Sequence, residues 1–134
     1  MYNIKINLKS NLQTEIKHLE SGKNIATDAP KDNSGLGLEF SPTDLLVSSL
    51  GSCIFTIMAI VAEARDFELN NAKMEITKTM SNKPRMVEKI GINIYLNKKI
   101  NKKNRILLEK SAFKCPVCRS LNPKIIKEIN FYYI

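Results

Sequence analysis

The sequence predicts an α+β fold of one small domain. Three observations carry it. Two runs near the N-terminus and two in the second half alternate apolar and polar residues, the period of half-buried strands. One long apolar segment opens with a helix-start signature. A second helical stretch separates the later strands from an apolar C-terminal run. The resulting order, βββ-α-ββ-α(α)-β, with mostly antiparallel pairing, belongs to the α+β class.

Residues 2–8, YNIKINL, set Tyr2, Ile4, Ile6 and Leu8 against Asn3, Lys5 and Asn7, which predicts the first strand. Ser10-Asn11 supplies a turn, residues 12–19 a second strand, and the surroundings of Ile25 a short third. The stretch DAPKDNSGLG, residues 28–37, collects turn-forming residues and predicts a loop. Ser41-Pro42-Thr43-Asp44 then reads as a helix start. Ser41 is the N-cap, Pro42 loses nothing at the first helical position, and Asp44 at N3 reaches back and faces the positive helix end. The helix is expected to run to about Arg65.

From Leu45 to Ala62 no residue is charged. The segment is barely long enough for a membrane span. Its serines, glycine and threonine, with Asp44 and Glu63 at its ends, favour a water-soluble core helix instead. A helix apolar on nearly every side must be covered on every side. A domain of 134 residues can hardly enclose six turns alone, so a homodimer with this helix at the shared centre is expected.

Residues 72–80 and 87–96 predict a hairpin joined by SNKPR. A helix from about Lys102 to Lys114 follows. Cys115-Pro116 breaks it and places Cys115 near the N-cap of a short further turn. The run IIKEINFYYI predicts the last strand. Residues 1–134 read as a single domain.

The chain carries 21 Lys and Arg against 13 Asp and Glu, a formal charge of +8. The basic residues are scattered. The densest cluster, KKINKKNR at 98–105, has no interleaved aromatics to stack on bases, so no specific nucleic-acid role is expected. With no basic n-region and apolar h-region at its start, the chain reads as cytoplasmic, its thiols reduced at rest.

Three cysteines remain to be explained: Cys53 in the apolar helix, and Cys115 and Cys118 in the segment FKCPVCRSL. A structural zinc site takes four ligands. Cys115 and Cys118 have the spacing for half of one, but the only histidine, His18, lies in a predicted strand; no metal is expected. A local CxxC redox pair normally opens a helix after a first strand, and here the motif lies near the C-terminus. Cys53 by itself reads as a small buried hydrophobe. On residues alone these alternatives stay open.

Taken together, LEFSPTDLLVSSLGSCIFTIMAI and FKCPVCRSL resemble the OsmC/Ohr family, the osmotically inducible protein C and organic hydroperoxide resistance proteins. The resemblance spans nearly the whole chain. It implies a single OsmC-like domain in an intertwined homodimer, with long central helices buried between wrapped sheets. It matches Cys53 to the peroxide-attacking cysteine and Cys115 to the resolving cysteine, leaving Cys118 as packing or an accessory thiol. It implies an organic hydroperoxide substrate, a dithiol or lipoyl-protein reductant, and no bound cofactor. The alternative is an OsmC-like dimer that binds a small hydrophobic ligand at its interface with little turnover.

The sequence departs from the family's peroxidase members at two positions. Those members set an arginine from the N-terminal strands and a glutamate near the helix start against the reactive thiol. Here no arginine precedes Arg65, and the glutamate position matches Thr43, with Asp44 beside it. Asp44, Thr43 and Arg119, together with Lys5, Lys9 or Lys17, are the auxiliary candidates. A lysine is a poor substitute for a guanidinium fork.

Overall fold

A computed structural model describes all residues, Met1–Ile134. Helices and two three-stranded sheets alternate in the expected order, and the chain divides into two compact units, Met1–Leu46 and Val47–Ile134.

In the first unit, β1 (Ile4–Leu8), β2 (Gln13–His18) and β3 (Asn24–Asp28) form an antiparallel meander. Ile6, Ile16 and Ile25 stand in one cross-strand row, so they share a face. That face is bare. Ile6 is 60% exposed, and Ile4, Leu8 and Ile25 are exposed beside it. The β1–β2 turn holds Asn11 and Leu12 at positive φ, and the β2–β3 turn uses Gly22 at φ 73°. Asp28 is fully buried at the end of β3, where its Oδ2 accepts from the Leu38 N–H at 3.0 Å and tethers the loop that follows.

The long helix α1 (Pro42–Ala64) begins as its sequence dictates. Ser41 Oγ accepts from the Asp44 N–H, and Asp44 Oδ2 accepts from the Ser41 N–H, both at 3.0 Å. The two bonds satisfy two orphan donors reciprocally, which is the capping box.

In the second unit, β4 (Lys73–Asn82) and β5 (Arg85–Leu96) form the hairpin, and β6 (Ile126–Tyr133) lies on the other side of β5. The connection between β4 and β5 is shorter than the five residues expected. The strands run on until only Lys83 and Pro84 remain, joined by a cis peptide bond. The β5–β6 ladder is parallel. A parallel return requires a crossover, here built from α2 (Lys102–Ala112) and α3 (Pro116–Ser120).

The core of this unit comes from β5's alternation and the inner stripe of α1. Ile90, Ile92, Ile94 and Leu96 are buried, and they belong to one cluster with Leu50, Ile54 and Met58 of α1 and Leu108 and Ala112 of α2. Gly51 permits close approach of helix and sheet. A Cβ there would lie 2.4 Å from Ile76 Cδ1 and 2.8 Å from Met74 Sδ. By length and composition α1 could cross a membrane. Within one chain its burial is one-sided: Val47, Leu50, Ile54, Met58 and Ala62 face the core, while Ser52, Thr56, Ala59 and Ile60 stay exposed.

Candidate functional site

The second unit brings the three cysteines together, all as free thiols. Each is placed by local physics. Cys53 lies in the middle of α1, one residue before the inner stripe position Ile54, and is therefore half-buried. Cys115 is the N-cap of α3, with extended backbone (φ −68°, ψ 142°) and Pro116 at the first helical position. Proline disfavours α geometry in the residue before it and suits N1 itself, so this break is written into the sequence. Cys118 falls at N3.

Cys115 is the centre of the cluster. Its side chain is 0% exposed. Its Sγ accepts from the Cys118 backbone N–H at 3.1 Å, the capping bond that a serine or aspartate oxygen would usually make. The Cys53 thiol lies close enough to interact with it. Burial pushes the Cys115 thiol up to about 11, with Cys53 and Cys118 adding to the rise; the Cys118 N–H works in the other direction. Half-buried Val117 and Leu121 pack against the same core cluster.

Thr43 and Asp44 lie in the first turn of α1, in the other compact unit. Asp44 makes the capping box, and Thr43 Oγ1 lies 3.2 Å from Ser41 Oγ. Lys9 pairs with Glu15 at 3.6 Å, and Lys5 and Lys17 are exposed on their strands. Arg119 is exposed in the last turn of α3, its backbone N–H donating to the Cys115 carbonyl. The group that sequence reasoning missed is the Cys118 main-chain N–H. Its signal was present in the Cys-Pro-x-Cys spacing, which puts an N-cap sulfur three residues before a free helical donor.

Three free thiols at one core cluster, two three-stranded sheets and a long apolar helix describe a small α+β protein with grouped cysteines. The chain belongs to the OsmC-like protein family, whose model matches residues 33–129. Its fold is that of a protein from Psychrobacter arcticus 273-4 named for osmotic stress induction and a detoxification response. The two share 37% identity, with 98% of this chain and 96% of that one covered, at a TM-score of 0.94. An OsmC-like protein from Mycoplasma pneumoniae is 18% identical, with coverage of 100% and 97% and a TM-score of 0.82. An organic hydroperoxide resistance protein OsmC from Legionella pneumophila is 15% identical, with coverage of 96% and 94% and a TM-score of 0.72. Among curated proteins, none matches this sequence.

Proposed function

We propose that the protein is a thiol-dependent peroxidase for organic hydroperoxides, with Cys53 as the attacking and Cys115 as the resolving cysteine. The observation that supports this reading is the placement of those two free thiols at one core cluster, close enough to interact, in a member of the OsmC-like family. The Cys53 thiolate attacks the distal peroxide oxygen, the O–O bond breaks, and an alcohol leaves after taking a proton. The Cys53 sulfenic acid then condenses with the Cys115 thiol, forming a disulfide and releasing water. An external dithiol, small or carried on a lipoyl protein, reduces the disulfide and is itself oxidised. The apolar setting of α1 suits an alkyl hydroperoxide better than hydrogen peroxide.

The working unit in this reading is a cytoplasmic homodimer of a single OsmC-like domain. Two bare apolar surfaces support it: the outer stripe of α1 with Ile60 57% exposed, and the face of the first sheet carrying Ile4, Ile6 and Ile25. A second copy of the chain would remove both from water.

The test is a steady-state assay with cumene or tert-butyl hydroperoxide and a dithiol. Consumption above background that vanishes in Cys53→Ser and in Cys115→Ser is the expected result. No consumption by the wild type across several peroxides would reject the reading.

A second reading keeps the fold and drops the turnover: a dimer that binds a small hydrophobic ligand. A cleft of about 400 Å³ favours it, lined by Ile57, Val61 and Ala64 of α1 and Leu107 of α2, with Arg65, Lys110, Ser111 and Lys114 also on its walls. Ligand binding unchanged in Cys53→Ser would distinguish it from the peroxidase.

A further inference from the structure

The two-cysteine cycle leaves Cys118 without a part. Its position is not that of a bystander. Cys115 Sγ interacts with the Cys53 thiol and accepts from the Cys118 main-chain N–H at 3.1 Å, so it has a second thiol within one helical turn. Cys118 stands at N3 of the helix that Cys115 caps, and its thiol is near enough to act on Cys115. The surroundings differ as well. Cys53 is set in the interior of a 23-residue helix next to fully buried Ile54. Cys118 sits in a five-residue helix whose Pro116, Arg119 and Ser120 are exposed.

We propose that Cys118 completes a three-cysteine relay, taking over the Cys53–Cys115 disulfide so that oxidation comes to rest as a Cys115–Cys118 disulfide in the Cys-Pro-Val-Cys turn. The proposal rests on the peroxidase reading for the origin of the first disulfide. The step is a thiol–disulfide exchange. Cys118 gives its proton to solvent, and its thiolate attacks Cys115 Sγ. The Cys115–Cys118 bond forms as the Cys53–Cys115 bond breaks. The electron pair leaves on Cys53 Sγ, which takes a proton from solvent. No net oxidation occurs in the exchange, so no further oxidant is required. The peroxide-attacking thiol is restored, and the external dithiol meets the disulfide at half-buried Cys118, whose neighbours Arg119 and Ser120 are exposed.

Disulfide mapping tests this directly, because trypsin separates the cysteines usefully. Cleavage after Lys31, Arg65, Lys114 and Arg119 leaves Cys53 in peptide 32–65 and the other two in peptide 115–119. Reduced protein is treated with one equivalent of cumene hydroperoxide in one arm and with diamide in another. Samples are quenched over time with N-ethylmaleimide, digested and weighed. The relay predicts an early cross-link between the two peptides, with one alkyl group on 115–119. That species is then lost. Peptide 115–119 becomes two hydrogens lighter and unalkylated, and peptide 32–65 carries the alkyl group. In Cys118→Ser the cross-link persists. A wild-type cross-link that also persists overturns the relay while leaving the peroxidase intact. If the peroxide arm stays reduced, the peroxidase reading fails. The diamide arm then decides the relay alone: conversion of cross-link to turn disulfide supports it, and a static cross-link overturns it.

Discussion

Cys115 and Cys53 lie about 60 positions apart in sequence yet meet at one core cluster, and the thiol of Cys115 is withdrawn from water. Burial holds Cys115 protonated up to about 11. At neutral pH roughly one Cys115 in ten thousand is then a thiolate, by the tenfold-per-unit rule. In the proposed cycle, disulfide formation after a single peroxide pulse should accelerate about tenfold per pH unit and level off near pH 11. Stopped-flow or quenched mass measurements across that range check it. The sign for stability follows from the same shift. The fold favours the protonated thiol, so this contribution is whole below the ordinary thiol value of 9.0 and is lost as pH rises through about 11.

The bare outer stripe of α1 gives an assembly prediction. Ile60 is 57% exposed in one chain, so Ile60→Glu should leave the folded protomer nearly as stable, within about 0.5 kcal/mol. In a dimer that buries this stripe, the same carboxylate would be desolvated without a partner. Sedimentation should show a dimer for the wild type and a monomer for the variant. A wild type that sediments as a monomer removes the dimer from the proposal.

The start of α1 rests on the Ser41–Asp44 capping box. Ser41 is only 1% exposed, and its hydroxyl is the acceptor for the Asp44 N–H. Ser41→Ala should cost about 1 kcal/mol, with an upper bound near 2, read as a lower urea midpoint at unchanged slope. Ser41→Asn, another good N-cap, should recover most of the loss.

Arg105 holds the turn that leads from β5 into α2. Its Nε donates to the Ile100 carbonyl at 2.8 Å and Nη2 to the Lys98 carbonyl at 2.5 Å, with the guanidinium 4.0 Å above the Tyr133 ring. Arg105→Lys keeps the charge and loses the fork. It should destabilise the protein by about 1–3 kcal/mol. Tyr133→Phe keeps the ring beneath the guanidinium and loses only the bond to Glu109, and should cost about 1 kcal/mol. Thermal or urea unfolding of both variants separates the two contributions.

Most of the fold was legible because its signals are local. The alternation of Ile90, Ile92, Ile94 and Leu96 states which face is buried before any partner is known. Ser41 through Asp44 spells a helix start, and Cys115-Pro116 a break followed by a cap. What escaped depends on distant parts of the chain. The parallel pairing of β6 with β5 is fixed by the direction of the α2–α3 crossover, not by the composition of β6. The β4–β5 strands outran their expected ends because ladder pairing carried Ser81 and Asn82 into the hairpin. The meeting of Cys53 with Cys115 has no local signal either. Only the family resemblance joined them in the sequence, and the packing of α1 against the α2–α3 crossover brings them together.

The long sequence separation of that thiol pair has a mechanical consequence. A disulfide between Cys53 and Cys115 would close a ring of about 60 residues, enough to stabilise the fold by roughly 4 kcal/mol through lost freedom of the unfolded chain. A disulfide between Cys115 and Cys118 closes a ring of four residues and restricts the unfolded chain by only about 2 kcal/mol. The two oxidised forms therefore differ in firmness as well as chemistry. One clasps the middle of the chain shut; the other lets it go while holding the same two oxidising equivalents.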